Sequence, residues 1–77
     1  PAQRLRLWAR GFSPRARLRP DVDLEALARE HELTGAAIMN IIRRVSLAAI
    51  ADGGREITRD DLAQAIRREL AKDSSAP

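Results

Sequence analysis

The residues of this sequence that are able to do acid–base or metal chemistry are few and scattered. His31 is the only histidine, and it lies between Glu30 and Glu32 at the end of a predicted helix, without the further ligands that zinc requires. Ser46 has no candidate base beside it, and the chain contains no cysteine. We therefore expect no metal site, no catalytic residue and no enzymatic activity of the chain alone.

An adjacent pair of glycines and an adjacent pair of acids have structural explanations. Gly53 and Gly54 follow a predicted helix rather than a strand, which is typical of a helix C-cap and not of a phosphate-binding loop. Asp61 lies at the third position of a predicted helix, where it is able to complete a cap. Asp60 suits the positive end of the same helix dipole, so neither acid indicates catalysis.

One short stretch has the properties of a ligand-binding site. Thr34, Gly35 and Ala36 begin a predicted helix, and minimal side chains at Gly35 and Ala36 would let a ligand approach the backbone closely. A helix N-terminus also offers free N–H groups and the positive end of the dipole. Small residues are equally expected at a crowded helix start, so the residues alone leave both interpretations open.

Charge is distributed unevenly along the 77 residues. Residues 1–19 contain six arginines and no acid, whereas the rest of the chain has eight basic and eleven acidic residues, so the net charge of +3 arises from one segment. Such a segment is typical of a solvated or subunit-facing surface, and it is also able to attract nucleic acid. Because Trp8 and Phe12 are the only aromatic residues, a base-stacking platform is nearly excluded.

The length of the chain limits it to one domain, which buries only about 60% of its unfolded surface. No apolar run approaches the roughly 18 residues that a membrane span needs, and the Arg-rich start has no apolar signal-peptide region. A hydrophobic content of 44% with 32% charged residues is typical of a soluble globular domain. We therefore expect a cytoplasmic protein that has no membrane partner.

Hydrophobic periodicity and turn residues predict four helices and no clear strand. The first helix covers about residues 2–11, and two prolines then interrupt residues 12–22, which we expect to form a connector. The second helix begins after a cap at Asp21 or Asp23 and ends near residues 31–32. The whole chain is expected to be one all-α domain.

The third and fourth helices have the clearest start signals. Thr34 is the predicted N-cap of the third helix, and Thr58, together with Asp61, is that of the fourth. We expect a small four-helix bundle with its core at about residues 2–72 and a frayed tail at residues 73–77. The residues predicted to face inward are Leu5, Trp8, Phe12, Leu24, Leu27, Ala28, Ile38, Met39, Ile41, Ile42, Val45, Leu47, Ala49, Ile50, Leu62, Ala65, Ile66 and Leu70.

Four stretches, in this order, resemble the C-terminal helical lid, or small domain, of AAA+ ATPases. Together they span roughly residues 4–72, which is nearly the whole chain. They are residues 4–8 (RLRLW) with Phe12, residues 21–28 (DVDLEALA), residues 33–38 (LTGAAI), and residues 57–62 (ITRDDL) with residues 65–68 (AIRR).

The resemblance implies a four-helix bundle of the AAA+ lid type, which closes over ATP or ADP held by a separate large domain that also binds magnesium. It implies that Thr34, Gly35 and Ala36, in the region that this family calls sensor 2, approach the base and ribose of the nucleotide. It further implies the large domain of the same parent chain and neighbouring subunits of a ring as partners. It disfavours nucleic acid as a partner.

One departure from the family pattern concerns the γ-phosphate. Many branches of the family place an arginine three residues after this glycine, but here that position is Ile38. Arg43 and Arg44 lie more than a turn further on and do not match it. The chain is similar in this respect to branches, including the Cdc48-like and FtsH-like ones, that use a glycine–alanine pair instead.

A histone-like DNA-binding domain, or another helical interaction module, is the alternative. Residues 57–68 also resemble the last helix of a histone fold, and residues 1–19 would supply phosphate contacts. The third helix has about 19 residues between its caps, which is short for that fold, and prolines separate two short helices upstream. We therefore prefer the lid interpretation.

Overall fold

The computed structural model describes residues 2–74, with side chains described for residues 2–72, and these residues form an all-α domain as predicted. No helix among them is long and apolar enough to cross a membrane. Part of the predicted tail belongs to the last helix, and residues 75–77 lie outside the described residues, so the tail remains a prediction. The helices are α1 (Ala2–Gly11), α2 (Leu24–Glu30), α3 (Gly35–Ala51) and α4 (Arg59–Ser74).

Side-chain caps begin α2 and α3. Asp23 Oδ1 accepts a hydrogen bond from the Ala26 N–H at 3.1 Å, which makes Asp23, and not Asp21, the cap of α2. Thr34 Oγ1 accepts from the Ala37 N–H, also at 3.1 Å. Each cap satisfies one of the backbone donors that a helix start leaves without a partner.

The start of α4 is a reciprocal capping box tied to Arg55. The Asp61 N–H donates to Thr58 Oγ1 at 3.0 Å, and the Thr58 N–H donates to Asp61 Oδ2 at 2.8 Å. Arg55 Nη1 lies 2.7 Å from Asp61 Oδ2, and Arg55 Nε lies 2.8 Å from Asp52 Oδ2 at the end of α3. A single guanidinium therefore links the end of α3 to the start of α4.

Gly53 and Gly54 end α3, as predicted. Their φ angles are 80° and 79°, in the left-handed region that favours glycine. The Gly54 N–H donates to the Ala49 carbonyl at 2.8 Å, and the Gly53 N–H donates to the Ile50 carbonyl at 3.1 Å. These are the two hydrogen bonds of a Schellman motif, so the chain leaves α3 abruptly and turns toward α4.

The core lies on one face of α3, which packs against α1 on one side and α4 on the other. Its members on α3 recur at the three- and four-residue spacing of an amphipathic helix. α2 packs against α1 and contributes one fully buried residue, Ala28. The buried residues are Trp8, Ala28, Ile38, Ile41, Ile42, Val45, Ala49, Ile57, Leu62, Ala65 and Ile66.

The connector between α1 and α2 is held by backbone pairing as well as by packing. Leu18 forms an isolated parallel bridge with Ile57. In this bridge the Arg19 N–H donates to the Ile57 carbonyl at 3.0 Å, and the Ile57 N–H donates to the Arg17 carbonyl at 2.8 Å. The apolar side chains that pack the connector against the core are Phe12, Ala16, Leu18 and Val22.

Four of the residues predicted to face inward are substantially exposed, so these predictions were wrong. Leu47 and Ile50 are 60% and 69% exposed, because α1 and α4 leave a third side of α3 uncovered. Met39 is 38% exposed on the same helix. Leu70, 46% exposed, follows Ile66, a buried residue of α4, by one turn.

Both threonine caps are expected to stabilise the fold, and the cap of α4 more than the cap of α3. Thr34→Ala and Thr58→Ala should each lower the free energy of unfolding by about 1 kcal/mol, the usual cost of a lost cap. Thr58→Ala should cost more, because Thr58 is half-buried and belongs to a two-way box, whereas Thr34 is exposed. Urea unfolding measures both, with Thr34→Ser and Thr58→Ser as controls that keep the hydroxyl. Equal stability of an alanine variant and its serine control would contradict the prediction.

Asp61 should make the stability of the domain sensitive to acid. Partial burial acts to raise the pKa of the Asp61 carboxyl, but hydrogen bonds from Arg55 and Thr58 outweigh it and lower that pKa. A carboxyl with a lowered pKa stabilises the fold above its unfolded pKa of about 3.9, and this contribution is lost as the pH falls through the folded pKa. We expect Asp61→Asn to lower the free energy of unfolding at pH 7 by on the order of 1 kcal/mol and to reduce its decline below about pH 4.

The matched control is Asp60→Asn, which removes the same charge at the neighbouring residue without touching Arg55 or the capping box. Urea unfolding of the three proteins between about pH 2 and pH 7 gives the comparison. An acid dependence that is the same in Asp61→Asn and in the unchanged protein would show that Asp61 contributes no linkage.

Candidate functional site

The predicted site residues form the exposed first turn of α3. Thr34 has extended backbone angles, φ −70° and ψ 161°, and its carbonyl accepts the Ile38 N–H at 3.0 Å. The Thr34 hydroxyl caps the Ala37 N–H. By helix geometry, the N–H groups of Gly35 and Ala36 have no carbonyl acceptor within the helix, so they point outward from its start. The turn therefore presents two backbone donors and the positive end of the α3 dipole.

Glycine at position 35 is not needed for the backbone or for the packing. Its φ angle is not positive, and an added Cβ would lie 3.4 Å from Leu7 Cδ1, an ordinary van der Waals distance. Gly11 is different, because a Cβ added there would clash with Ile42 Cδ1. The small size of Gly35 is therefore a property of the surface and not a requirement of the core.

An apolar side chain from α1 borders the same turn. Leu7 is 37% exposed and lies next to Gly35, so α1 and α3 both contribute to this surface. The sequence placed Leu7 on the first helix but gave no sign that it would lie beside the start of the third. Leu7 and the first turn of α3 together offer hydrogen-bond donors next to an apolar side chain.

No arginine of α3 lies at this turn. Ile38, at the position where many AAA+ branches have an arginine, is completely buried in the core. Arg43 and Arg44 are exposed on α3, and Arg43 lies about 12 Å further along the helix axis than Gly35 at 1.5 Å per residue. The turn itself therefore carries backbone donors without a neighbouring side-chain cation from its own helix.

Two arginines of the basic segment stabilise helix ends, a role that sequence reasoning missed. Arg4 Nε donates to the Ala28 carbonyl at 2.9 Å in the last turn of α2. Arg17 Nη2 donates to the Gly54 carbonyl at 2.6 Å, just after α3. Both cations thus lie at the negative end of a helix dipole. The remaining arginines of the segment are exposed: Arg6, Arg10, Arg15 and Arg19.

The side chains of Asp60 and Asp61 have structural partners, and His31 caps a helix through its backbone. Asp60 accepts a hydrogen bond from Gln64 Nε2 at 2.6 Å, and Asp61 belongs to the capping box. His31 ends α2, where its backbone N–H donates to the Leu27 carbonyl at 3.1 Å. Among the side chains of residues 2–72, no group of three or more acidic or histidine residues is placed to hold a metal ion.

The chain is similar to two curated proteins whose names specify nucleotide-dependent activity. It is 47% identical over 58 residues to the ATP-dependent zinc metalloprotease FtsH 3 of Sphaerobacter thermophilus, a match that covers 74% of this chain and 12% of that protein. It is 39% identical over 73 residues to the proteasome-activating nucleotidase of Aeropyrum pernix, which covers 92% of this chain and 18% of that protein. No protein-family model matches the chain.

The chain thus spans less than a fifth of the length of either relative. Matches of this coverage necessarily include the middle of the chain, and with it Thr34, Gly35 and Ala36. Both relatives are AAA+ ATPases, in agreement with the family indicated by the sequence. The chain is therefore a homologue of a short segment of these AAA+ ATPases.

Proposed function

We propose that this chain is the C-terminal lid of an AAA+ ATPase and closes over ATP or ADP bound by a separate large domain of the same protein. The observation that supports this most directly is the exposed first turn of α3, formed by Thr34, Gly35 and Ala36. The large domain would supply the phosphate-binding loop, the magnesium ion and the catalytic groups. The lid alone would not hydrolyse ATP, and it would act in the cytoplasm.

The exposed turn suits the base and ribose of a nucleotide. The N–H groups of Gly35 and Ala36 are able to donate to base or ribose oxygen and nitrogen atoms. The Thr34 oxygen accepts from Ala37, which leaves the hydroxyl proton available as a further donor. Leu7 offers an apolar surface for the face of the base, and the glycine at position 35 lets the ligand come close to the backbone.

The same geometry favours contact of the phosphates with the large domain and not with α3. Ile38 is buried, and Arg43 and Arg44 lie further along α3, so α3 brings no cation to the nucleotide at its own N-terminus. The α3 dipole would still favour a negatively charged ligand nearby, because its positive end is exposed. The lid would therefore recognise the presence of bound nucleotide more than the charge of the γ-phosphate.

A rigid core would pass the nucleotide state on to other parts of a ring. Ile38, one turn into α3, is fully buried, and α3 packs against both α1 and α4. Closely packed interiors transmit displacement because they have little free volume. A shift of the α3 start would therefore move α1 and α4 with it, and their exposed faces would carry that movement to neighbouring subunits.

Gly35→Leu, introduced into the full ATPase that carries this lid, is expected to weaken nucleotide binding by about tenfold or more. The branched side chain would occupy the space in which the ligand nears the backbone, and tenfold corresponds to about 1.4 kcal/mol. Gly35→Ala should weaken binding less, because its Cβ meets only Leu7 at an ordinary distance. Titration with a fluorescent ADP analogue gives the affinity, and urea unfolding of the 77-residue domain gives the stability of the lid.

The control is Ala48→Leu, which places the same side chain at another small exposed residue of α3, away from its first turn. It should leave nucleotide affinity unchanged. A folded Gly35→Leu lid with unchanged nucleotide affinity would remove Gly35 from the site, and an equal loss in Ala48→Leu would show that the effect is not local.

The second candidate function is DNA binding, which the five exposed arginines of the basic segment favour. If the domain is a lid, it should bind duplex DNA weakly, and this binding should disappear at physiological salt. A histone-like module would engage several phosphates, with a log–log salt slope of roughly −0.9 per phosphate. Fluorescence anisotropy of a labelled duplex at about 50 mM and about 150 mM salt distinguishes the two.

The variant for this test is Arg15→Gln with Arg19→Gln, because Arg17 also holds the end of α3 through Gly54. Micromolar or tighter binding at the higher salt, lost in this double variant while the helical content stays the same, would replace the lid assignment with DNA binding.

A further inference from the structure

A concave surface lies between the connector and the C-terminal half of α3. This groove has a volume of about 360 Å³, and its apolar lining consists of Ala16, Ala49, Ile50 and Ile57. Ile50 is 69% exposed. A single exposed apolar residue on a convex surface needs no explanation, but one that lines a concave apolar surface is suited to contact a ligand.

The rim of the groove carries positive charge. Arg15, Arg17 and Arg55 line it, and no acidic residue does. Arg55 is paired with Asp52 and Asp61, so its charge is largely neutralised locally. Arg17 uses Nη2 to hold the Gly54 carbonyl, which leaves its other N–H groups available. Arg15 is exposed, and its side chain has no ion-pair partner among residues 2–72.

We propose that this groove binds a short acidic segment of a partner protein that carries one branched apolar residue. The apolar side chain contacts Ile50 and Ala16 in the apolar lining, and flanking carboxylates pair with Arg15 and Arg17. Nucleic acid matches this lining less well, because the lining is aliphatic and offers no ring on which a base could stack.

This binding is independent of the ATPase assignment. Ile50 lies fifteen residues from Gly35 on the same helix, which is about 22 Å along its axis. A ligand of a few residues in the groove therefore does not touch the first turn of α3. The 77-residue chain contains the whole groove, so it is sufficient for the experiment.

The test uses three labelled peptides and one oligonucleotide. The first peptide is Glu-Asp-Leu-Asp-Glu, the second replaces its leucine with serine, and the third replaces its four acids with lysine. A single-stranded oligonucleotide of the same charge as the first peptide represents nucleic acid. Fluorescence anisotropy measures binding, and amide chemical-shift changes locate it. We expect the first peptide to bind about tenfold more tightly than the second, to shift amides around Ile50 and Arg15, and to bind less tightly as salt rises.

Two pairs of matched variants separate the groove from general properties of the surface. Ile50→Gln should weaken binding of the first peptide about tenfold. Leu47→Gln, which makes the same kind of change at an exposed apolar residue outside the groove, should leave that binding unchanged. Arg15→Gln should weaken binding of the first peptide severalfold. Arg43→Gln, at an exposed arginine outside the groove, should leave that binding unchanged. Circular dichroism verifies that each variant remains folded.

Absence of binding by the first peptide would overturn the proposal, and so would equal losses in Ile50→Gln and Leu47→Gln. Tighter binding of the oligonucleotide than of the first peptide, sensitive to Arg15→Gln but not to Ile50→Gln, would identify the rim as a phosphate-binding surface instead. None of these three results would affect the proposed nucleotide site at the other end of α3.

Discussion

The backbone pairing of Ile57 with the connector is the interaction on which the rest of this small structure depends. Both backbone polar groups of Ile57 are used, one with Arg17 and one with Arg19, and its side chain is 1% exposed. Ile57 also directly precedes Thr58, the cap of α4. Ile57 therefore joins the segment between α3 and α4 to the connector. Because the chain contains no cysteine, no disulfide reinforces this link.

The helix starts and ends could be predicted because their signals are local. Thr34, Thr58 with Asp61, and Gly53 each act on backbone groups a few residues away, so the sequence spacing already specifies the geometry. The same applies to the position of Gly35 at the first turn of α3. For these features the predicted helix boundaries and the observed ones agree closely.

The exposure of individual side chains could not be predicted, since it depends on how many neighbours each helix has. The apolar pattern of α3 is wide enough for a helix covered on every side, but among the described helices α1 and α4 are the two that pack against it, and Leu47 and Ile50 remain exposed. The partners of Arg4 and Arg17 lie 24 and 37 residues away in sequence. Contacts between residues so far apart in sequence produce no periodic pattern in the sequence. The sequence therefore offers no reason to expect that these arginines have partners.

The two candidate surfaces differ in how strongly the fold constrains them. At the first turn of α3, Gly35 could carry a side chain without strain or clash, so the fold does not account for the open surface there. In the groove, Ile57 and Ala49 are part of the core, Arg17 holds the Gly54 carbonyl, and Arg55 pairs with Asp52 and Asp61. The side chains of Ile50 and Arg15 are exposed and can vary without loss of such contacts. A change at Gly35 should therefore act mainly on ligand binding, whereas at the groove only changes to exposed residues report on binding alone. The buried residues of α3 between these surfaces, Ile38, Ile41, Ile42, Val45 and Ala49, hold both surfaces in fixed positions relative to each other.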